Sequence, residues 1–379
     1  MFLRDKLMKK IVVITNILTN YQIDFFNRLL EVGKDINLTV FADLKSNSLL
    51  NNYVNVHCKF NTVDSPMKDF HGIIFRKSIK KKIDTINPDF IVFYANPREA
   101  SLSILMIYYW LIGRSFYVHG MFHRIGGQTL VSKSYYRLMG IISDKCLTYS
   151  RKGAQVLLGL GVKAEKIKVV GTAINEKKSI YYANQINSEQ LNKFKKHNGL
   201  SDKKIVLQVV RLSKIKKPDM ILDIAKNLSS YRSDIIFVLI GEGEMYDEIK
   251  SRIDFLNLKS VVFLLGSIYD EKVLSYWFRA AKVFVMPTCI GLSAHHAFSY
   301  SLPIVTDDDY LQQASEFDIL CDGLNSIIYK SGNIKSFEKS ILNIIDDEKL
   351  HHFLSKNALQ TVKVSNSLDA KCKNYLSCF

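Results

Sequence analysis

Short apolar runs alternate with helical patterns along nearly the whole chain, the signature of parallel sheets joined by crossover helices. In the first half the runs at 11–15, 38–42, 90–94, 115–118, 146–149 and 167–170 read as strands. Between them, 77–86 sets Ile79, Ile83 and Ile86 on one face and Lys80, Lys81 and Lys82 on the other, as a surface helix does. A second series of strands begins at 205–210 and continues at 235–240, 261–265, 283–286, 303–305 and 326–329. Helices are predicted over 218–228, 245–255, 271–281 and 292–300.

The segment 176–204 is polar and weakly periodic, which predicts a bridge between domains. The expected organisation is a first α/β domain over 1–176, a second over 177–360, and a tail, 361–379, returning to the first domain. Two doubly wound domains facing each other would bring the carboxyl ends of both sets of strands to a central crevice. At 379 residues and 47% hydrophobic content, the chain is long enough for two such cores.

The most apolar stretch, 102–113, is shorter than the roughly 20 residues of a spanning helix and predicts a buried core helix. The basic start (Arg4, Lys6, Lys9, Lys10) resembles a signal peptide, but the following apolar run is short and lacks a small-residue cleavage site. It reads as a first strand, with Met8 as an alternative start and the first seven residues as a dispensable extension. Six scattered cysteines without a Cys-x-x-Cys pair predict neither a zinc site nor a disulfide framework, and point to the cytoplasm.

The formal net charge of +16 suits anionic partners: nucleic acid, acidic lipid or phosphorylated small molecules. Without zinc-finger spacing, an RNP-like string or basic runs interleaved with stacking aromatics, nucleic acid is not expected.

Candidate chemistry concentrates in the second half. Arg211 ends a strand, and Lys214, Lys216 and Lys217 follow in a short loop. An isolated lysine cluster is by default a solvated turn. At the end of a parallel strand, however, Arg211 and Lys216 are well placed to stabilise a departing diphosphate. Gly241 and Gly243 form a Gly-x-Gly turn after a buried strand, suited to close approach of a ligand. Tyr246 stands where a dinucleotide fingerprint has its third glycine, so a nicotinamide enzyme is not expected. The adjacent His295 and His296 point about 100° apart on a helix, a poor metal pair. Asp307, Asp308 and Asp309 read as a solvated turn or helix cap.

The ordered succession from Arg211 through Gly241 and Gly243, Met286-Pro287, Gly291-Leu292, Ala297 and Pro303 resembles the donor half of the family 4 retaining glycosyltransferases of GT-B fold. It covers about 110 residues, judged by the ordered succession of motifs. A looser similarity runs through VHGMF, around His119, in the first half.

The resemblance implies that Arg211 and Lys216 bind the donor diphosphate, and that Gly291, Leu292 and Ser293 receive phosphates or the donor sugar. It also implies that His119 lies near that sugar, that Glu316 is a donor-side residue, and that no metal or other cofactor is needed. Family members usually carry two glutamates eight positions apart in this segment. Here His296 occupies the later position, and nothing acidic stands before Gly291. An imidazole can still hydrogen-bond a ribose hydroxyl. The variant is similar to a branch associated with bacterial surface polysaccharides.

In the first domain, the loop and helix start at Asn20, Tyr21 and Gln22 are acceptor-side candidates. Arg98, Arg124, Lys133 and Arg137, with Phe122, Tyr135 and Tyr136, suggest a shallow membrane-facing surface for a lipid-linked acceptor at the inner face of the membrane. Two rivals stand beside a transferase: a sugar-nucleotide epimerase, and a noncatalytic glycan- or membrane-binding protein on the same fold.

Overall fold

The computed structural model describes residues 8–44 and 57–379; the predicted extension before Met8 lies outside them. The chain divides into two compact units, one of residues 1–174 with 368–379 and the other of residues 175–367.

The first unit is built on a sheet of seven parallel strands. These are β1 (Lys9–Ile14), β2 (Ile36–Ala42), β3 (Asn61–Asp64), β6 (Phe90–Tyr94), β7 (Tyr117–Gly120), β8 (Lys145–Thr148) and β9 (Ile167–Val169). Their order is β3-β2-β1-β6-β7-β8-β9, reversing direction at β1. A hairpin of β4 (Met67–Phe70) and β5 (Ile73–Arg76) was not evident in the sequence pattern. Helices α1 (Asn20–Val32), α2 (Ile79–Ile86), α3 (Ala100–Leu111), α4 (Leu130–Ile142) and α5 (Arg151–Gly159) connect the strands. The sheet forms because its central strands are continuous apolar runs: Ile11, Val12, Val13 and Ile14 are all buried, alternately feeding the two core layers.

The second unit repeats the plan, with order β12-β11-β10-β13-β14-β15. It opens with α6 (Glu176–Gln185) and α7 (Ser188–His197). This corrects the predicted bridge over 176–204. Asn175 and Asn187 cap the two helices, and Ala183, Leu191 and Phe194 pack on a core that includes Leu274 and Trp277. Too few apolar side chains do this packing to impose a readable period.

The strands are β10 (Lys204–Val209), β11 (Ile235–Ile240), β12 (Val262–Leu264), β13 (Ala281–Val285), β14 (Ile304–Asp307) and β15 (Ser326–Tyr329). The helices are α8 (Asp219–Ser229), α9 (Tyr246–Phe255), α10 (Glu271–Ala280), α11 (Ser293–Ser299), α12 (Ile334–Asp346) and α13 (Glu348–Lys363). The closing helix, α14 (Leu368–Leu376), belongs to the first unit, where Arg28 of α1 donates to Asp369 and Tyr375 packs edge-on against Phe25. The division therefore falls after residues 174 and 367, where the sequence placed it after 176 and 360.

A second correction concerns 102–113. Helix α3 buries Leu102, Leu105, Met106 and Tyr109, but Ile104, Trp110 and Leu111 are exposed. An all-apolar helix reads as fully buried, whereas this one has a core on one side only.

Candidate donor site

In a parallel sheet, ligands meet the carboxyl ends of the strands. In the second unit β10 lies between β11 and β13, so the segments after all three strands emerge side by side.

After β10, Arg211 is exposed and has no ion-pair partner among the described residues. Lys216 is half-buried. Its Nζ donates to the Cys289 carbonyl and lies 3.5 Å from the Cys289 Sγ. A side chain begun at Gly291 would place its Cβ 3.6 Å from the same Nζ. The loop after β10 and the turn after β13 thus share one cation. Cys289 adopts a left-handed φ of 55°, which bends the chain into that turn. The backbone amides of Gly291, Leu292 and Ser293 donate to no group among the described residues, while the Gly291 carbonyl accepts from Ala294 at 2.9 Å. A cation beside three free amides is a site for an anion.

The Gly-x-Gly turn after β11 has a different role from the predicted one. A Cβ at Gly241 would lie 1.9 Å from the Val210 carbonyl oxygen, and one at Gly243 would lie 2.2 Å from that of Leu212. The Leu212 amide donates to the Glu242 carbonyl at 2.9 Å, and the Met245 amide to the Leu212 carbonyl at 3.1 Å. The glycines admit the chain's own backbone and hold the Arg211 segment in place.

Glu316 is buried in a single 3₁₀ turn, Ser315–Ile319, after β14. Gln313, which sequence reasoning missed, ties this segment to the anion turn. Its Oε1 accepts from the Ile290 amide at 2.8 Å, and its Nε2 donates to Asp307 Oδ1 at 2.7 Å. Asp307 is accordingly buried, its carboxyl pushed up by burial, which corrects the predicted solvated turn for that residue. Asp309 does cap the following amides, at 3.1 Å from Leu311 N.

His296 is drawn away from the role given to it in the sequence. Its Nε2 lies 3.4 Å from Glu271 Oε1 on α10, which also accepts from Tyr300 Oη at 2.8 Å and Ser179 Oγ at 2.9 Å. Burial alone would raise the Glu271 carboxyl. The bonds from His296, Tyr300 and Ser179 outweigh it and hold the group at about 2. A carboxylate depressed on folding stabilises above its unfolded value and loses that contribution as pH falls toward the folded one. Glu271→Gln should therefore cost about 3 kcal/mol near neutrality, with the difference from wild type shrinking between pH 4.5 and 2. Urea unfolding of both proteins at a series of pH values measures it.

In the first unit, His119 is the next-to-last residue of β7 and is wholly buried, with neither ring nitrogen hydrogen-bonded among the described residues. The rings of Tyr149, Tyr94 and Tyr375 surround it at 4.5, 4.7 and 5.6 Å. Burial, and then the Lys371 ammonium, hold its pKa well below the ordinary range, so the imidazole is neutral. Lys371 stands 4.4 Å from the Phe25 ring centre. Tyr94 ends β6 and Tyr149 directly follows β8, a signal available in the sequence. Tyr375 and Lys371 arrive from 250 residues away and left none. His123 in the same segment is lowered to about 4 by burial and by Lys152, against the Met121 carbonyl that accepts from its Nδ1 at 2.9 Å.

Of the acceptor-side candidates, Asn20 and Tyr21 are exposed. Gln22 is buried, its Oε1 accepting from the Thr19 amide at 3.0 Å and its Nε2 donating to Thr15 Oγ1 at 3.2 Å. It caps α1. Among the described residues, no group of three or more His, Cys, Asp or Glu side chains is gathered to hold a metal.

Residues 189–361, nearly all of the second unit, match the model of the family described as glycosyl transferases group 1. The second unit is similar to that family. The group 1 match coincides with the unit that carries the cation and the free amides. Among curated proteins, the chain is 27% identical over 240 residues to an Escherichia coli UDP-Gal:α-D-GlcNAc-diphosphoundecaprenol α-1,3-galactosyltransferase, covering 59% of this chain and 58% of that one. It is 25% identical over 234 residues to a Campylobacter jejuni N,N'-diacetylbacillosaminyl-diphospho-undecaprenol α-1,3-N-acetylgalactosaminyltransferase, covering 61% and 58%. The chain's matches span between 18% and 58% of the length of the curated relatives. Among solved structures, the Anabaena protein Alr3699/HepE in complex with UDP superposes with a TM-score of 0.74 at 16% identity, covering 98% of this chain and all of that one. A Listeria monocytogenes protein titled a putative UDP-N-acetylglucosamine 2-epimerase gives 0.65 at 12%, covering 97% of this chain and 95% of that one. These likenesses establish the GT-B fold, two Rossmann-like halves of parallel sheet and helix.

Proposed function

We propose that the chain is a group 1 glycosyl transferase that moves a sugar, with retention of anomeric configuration, from a nucleotide diphosphate donor to a polysaccharide or lipid-linked oligosaccharide precursor of O-antigen or capsule type. The observation that carries the reading is the meeting of Lys216 with the free amides of the Gly291 turn, on the strand ends that also present Arg211. Two cations and a row of unpaired donors suit a diphosphate both bound and leaving. In this reading no metal is required, because Arg211 and Lys216 supply the compensating charge. His119, being neutral, acts as a hydrogen-bonding group and not as a proton donor. The relatives named for diphospho-undecaprenol substrates support a lipid-linked acceptor, which this reading places at the cytoplasmic face of a membrane.

The epimerase remains the second reading, because one fold neighbour carries that title. Incubation with UDP- and GDP-sugars, alone and with diphosphoundecaprenol-linked acceptors, separates the two. The proposal expects nucleoside diphosphate release that depends on acceptor, with a product of the donor's anomeric configuration by NMR. Conversion of the donor sugar without acceptor would establish the epimerase. No binding of any nucleoside diphosphate would leave a noncatalytic protein.

A further inference from the structure

The outward side of α3 is as apolar as its inward side. Ile104, Tyr108 and Leu111 fall at successive i, i+4 and i+7 positions and form one exposed stripe, with Trp110 exposed beside it. No charged residue occurs from 100 to 113. Helix α4 packs against α3 in the same core layer and adds Leu130 and Val131, exposed by 82% and 73%. Exposed apolar side chains on two neighbouring helices of one folded unit mark an interaction site.

Beside Tyr108, Lys80 and Asp84 of α2 neutralise each other, and the charges left unpaired along this stretch of the chain have one sign. From 97 to 143 the one acid is Glu99, which is buried on Arg76. The exposed Arg124, Lys133 and Arg137 have no acidic partner among the described residues. These are the cations picked out in the sequence, but the apolar residues differ. Phe122 and Tyr136 are buried in the core, and Tyr135 accepts from the Asn96 amide at 3.2 Å.

We infer that the exposed α3–α4 face of the first unit is a docking surface for an anionic lipid bilayer, with α3 lying in the headgroup boundary and Lys133 and Arg137 on acidic headgroups. A helix of this length cannot cross a bilayer, which needs about 20 residues, and no described helix is long and apolar enough to do so. Long aliphatic side chains with Tyr and Trp at the rim are the composition of an interfacial helix. A second copy of the chain offering the same face would bring only Asp84, already paired with Lys80 and Arg114, whereas a bilayer containing phosphatidylglycerol would bring free acidic headgroups. The inference deepens the lipid-linked acceptor of the proposed function, but it stands on this surface alone.

The full chain should sediment with vesicles of equal phosphatidylglycerol and phosphatidylcholine, and much less with phosphatidylcholine alone. High salt should weaken the binding. Of the two tryptophans, Trp277 is buried, so a blue shift of fluorescence on vesicle addition should come from Trp110 and vanish in Trp110→Phe. Leu111→Asp and the pair Lys133→Glu with Arg137→Glu should each reduce binding about tenfold or more. All should keep the wild-type thermal stabilisation by UDP or GDP, whichever binds, as the control for folding. Absence of phosphatidylglycerol binding in a protein that still binds the nucleotide overturns the inference, as does a wild-type dimer that Leu111→Asp dissociates. Vesicle binding without nucleotide binding supports it while refuting the transferase reading.

Discussion

Arg211→Ala and Lys216→Ala should each lower sugar transfer by about 10²–10³-fold while leaving the fold intact, because each removes a charge aimed at the leaving diphosphate. Arg211 holds no other group, so its loss should appear almost wholly as lost donor binding and turnover. Lys216 also ties the β10 loop to the Cys289 carbonyl, so its variant should lose a few degrees of melting temperature as well. Steady-state transfer assays with thermal melts separate the two effects. Near-normal transfer by either variant would remove that residue from the donor site.

Glu99→Ala should destabilise the first unit by about 3–5 kcal/mol, since it strands a wholly buried guanidinium. Arg76 bonds to Glu99 and also donates to the Thr15 carbonyl at 2.9 Å and the Ser65 carbonyl at 3.1 Å, joining the hairpin, the end of β1 and the start of α3. Urea unfolding followed by a probe of the first unit measures the loss. Replacing both partners by apolar residues should cost much less, because no unpaired charge is then left inside. A single variant as stable as wild type would show that the pair contributes nothing.

Most of the parallel strands were legible because they are apolar runs, and their predicted bounds fall within two residues of those observed, whereas β3, a half-exposed Asn-Thr-Val-Asp segment at the sheet edge, gave no such pattern. The proposed anion site could be placed for a related reason. Arg211 and Gly291 follow adjacent strands of one parallel sheet, and such strands deliver their ends to one edge.

What escaped depends on contacts between distant segments. Gly241 and Gly243 look like ligand glycines until the backbone of Val210 and Leu212 is seen to fill the space. His296 fits a nucleotide role by position, but Glu271, itself held by Ser179, comes from another helix to pair with it. The enclosure of His119 depends on Tyr375 of the last helix. In α3 the hydrophobic pattern was correct, but no pattern reveals that one apolar side has nothing packed on it.

The account rests on a diphosphate held by the Gly291 turn beside Lys216. Amide NMR of the full chain, titrated with UDP and with GDP, addresses this directly. With the nucleotide that binds, the amide resonances of Gly291, Leu292 and Ser293 should move saturably, and the movement should disappear in Lys216→Ala. Saturable binding that leaves those three amides unmoved would contradict the account.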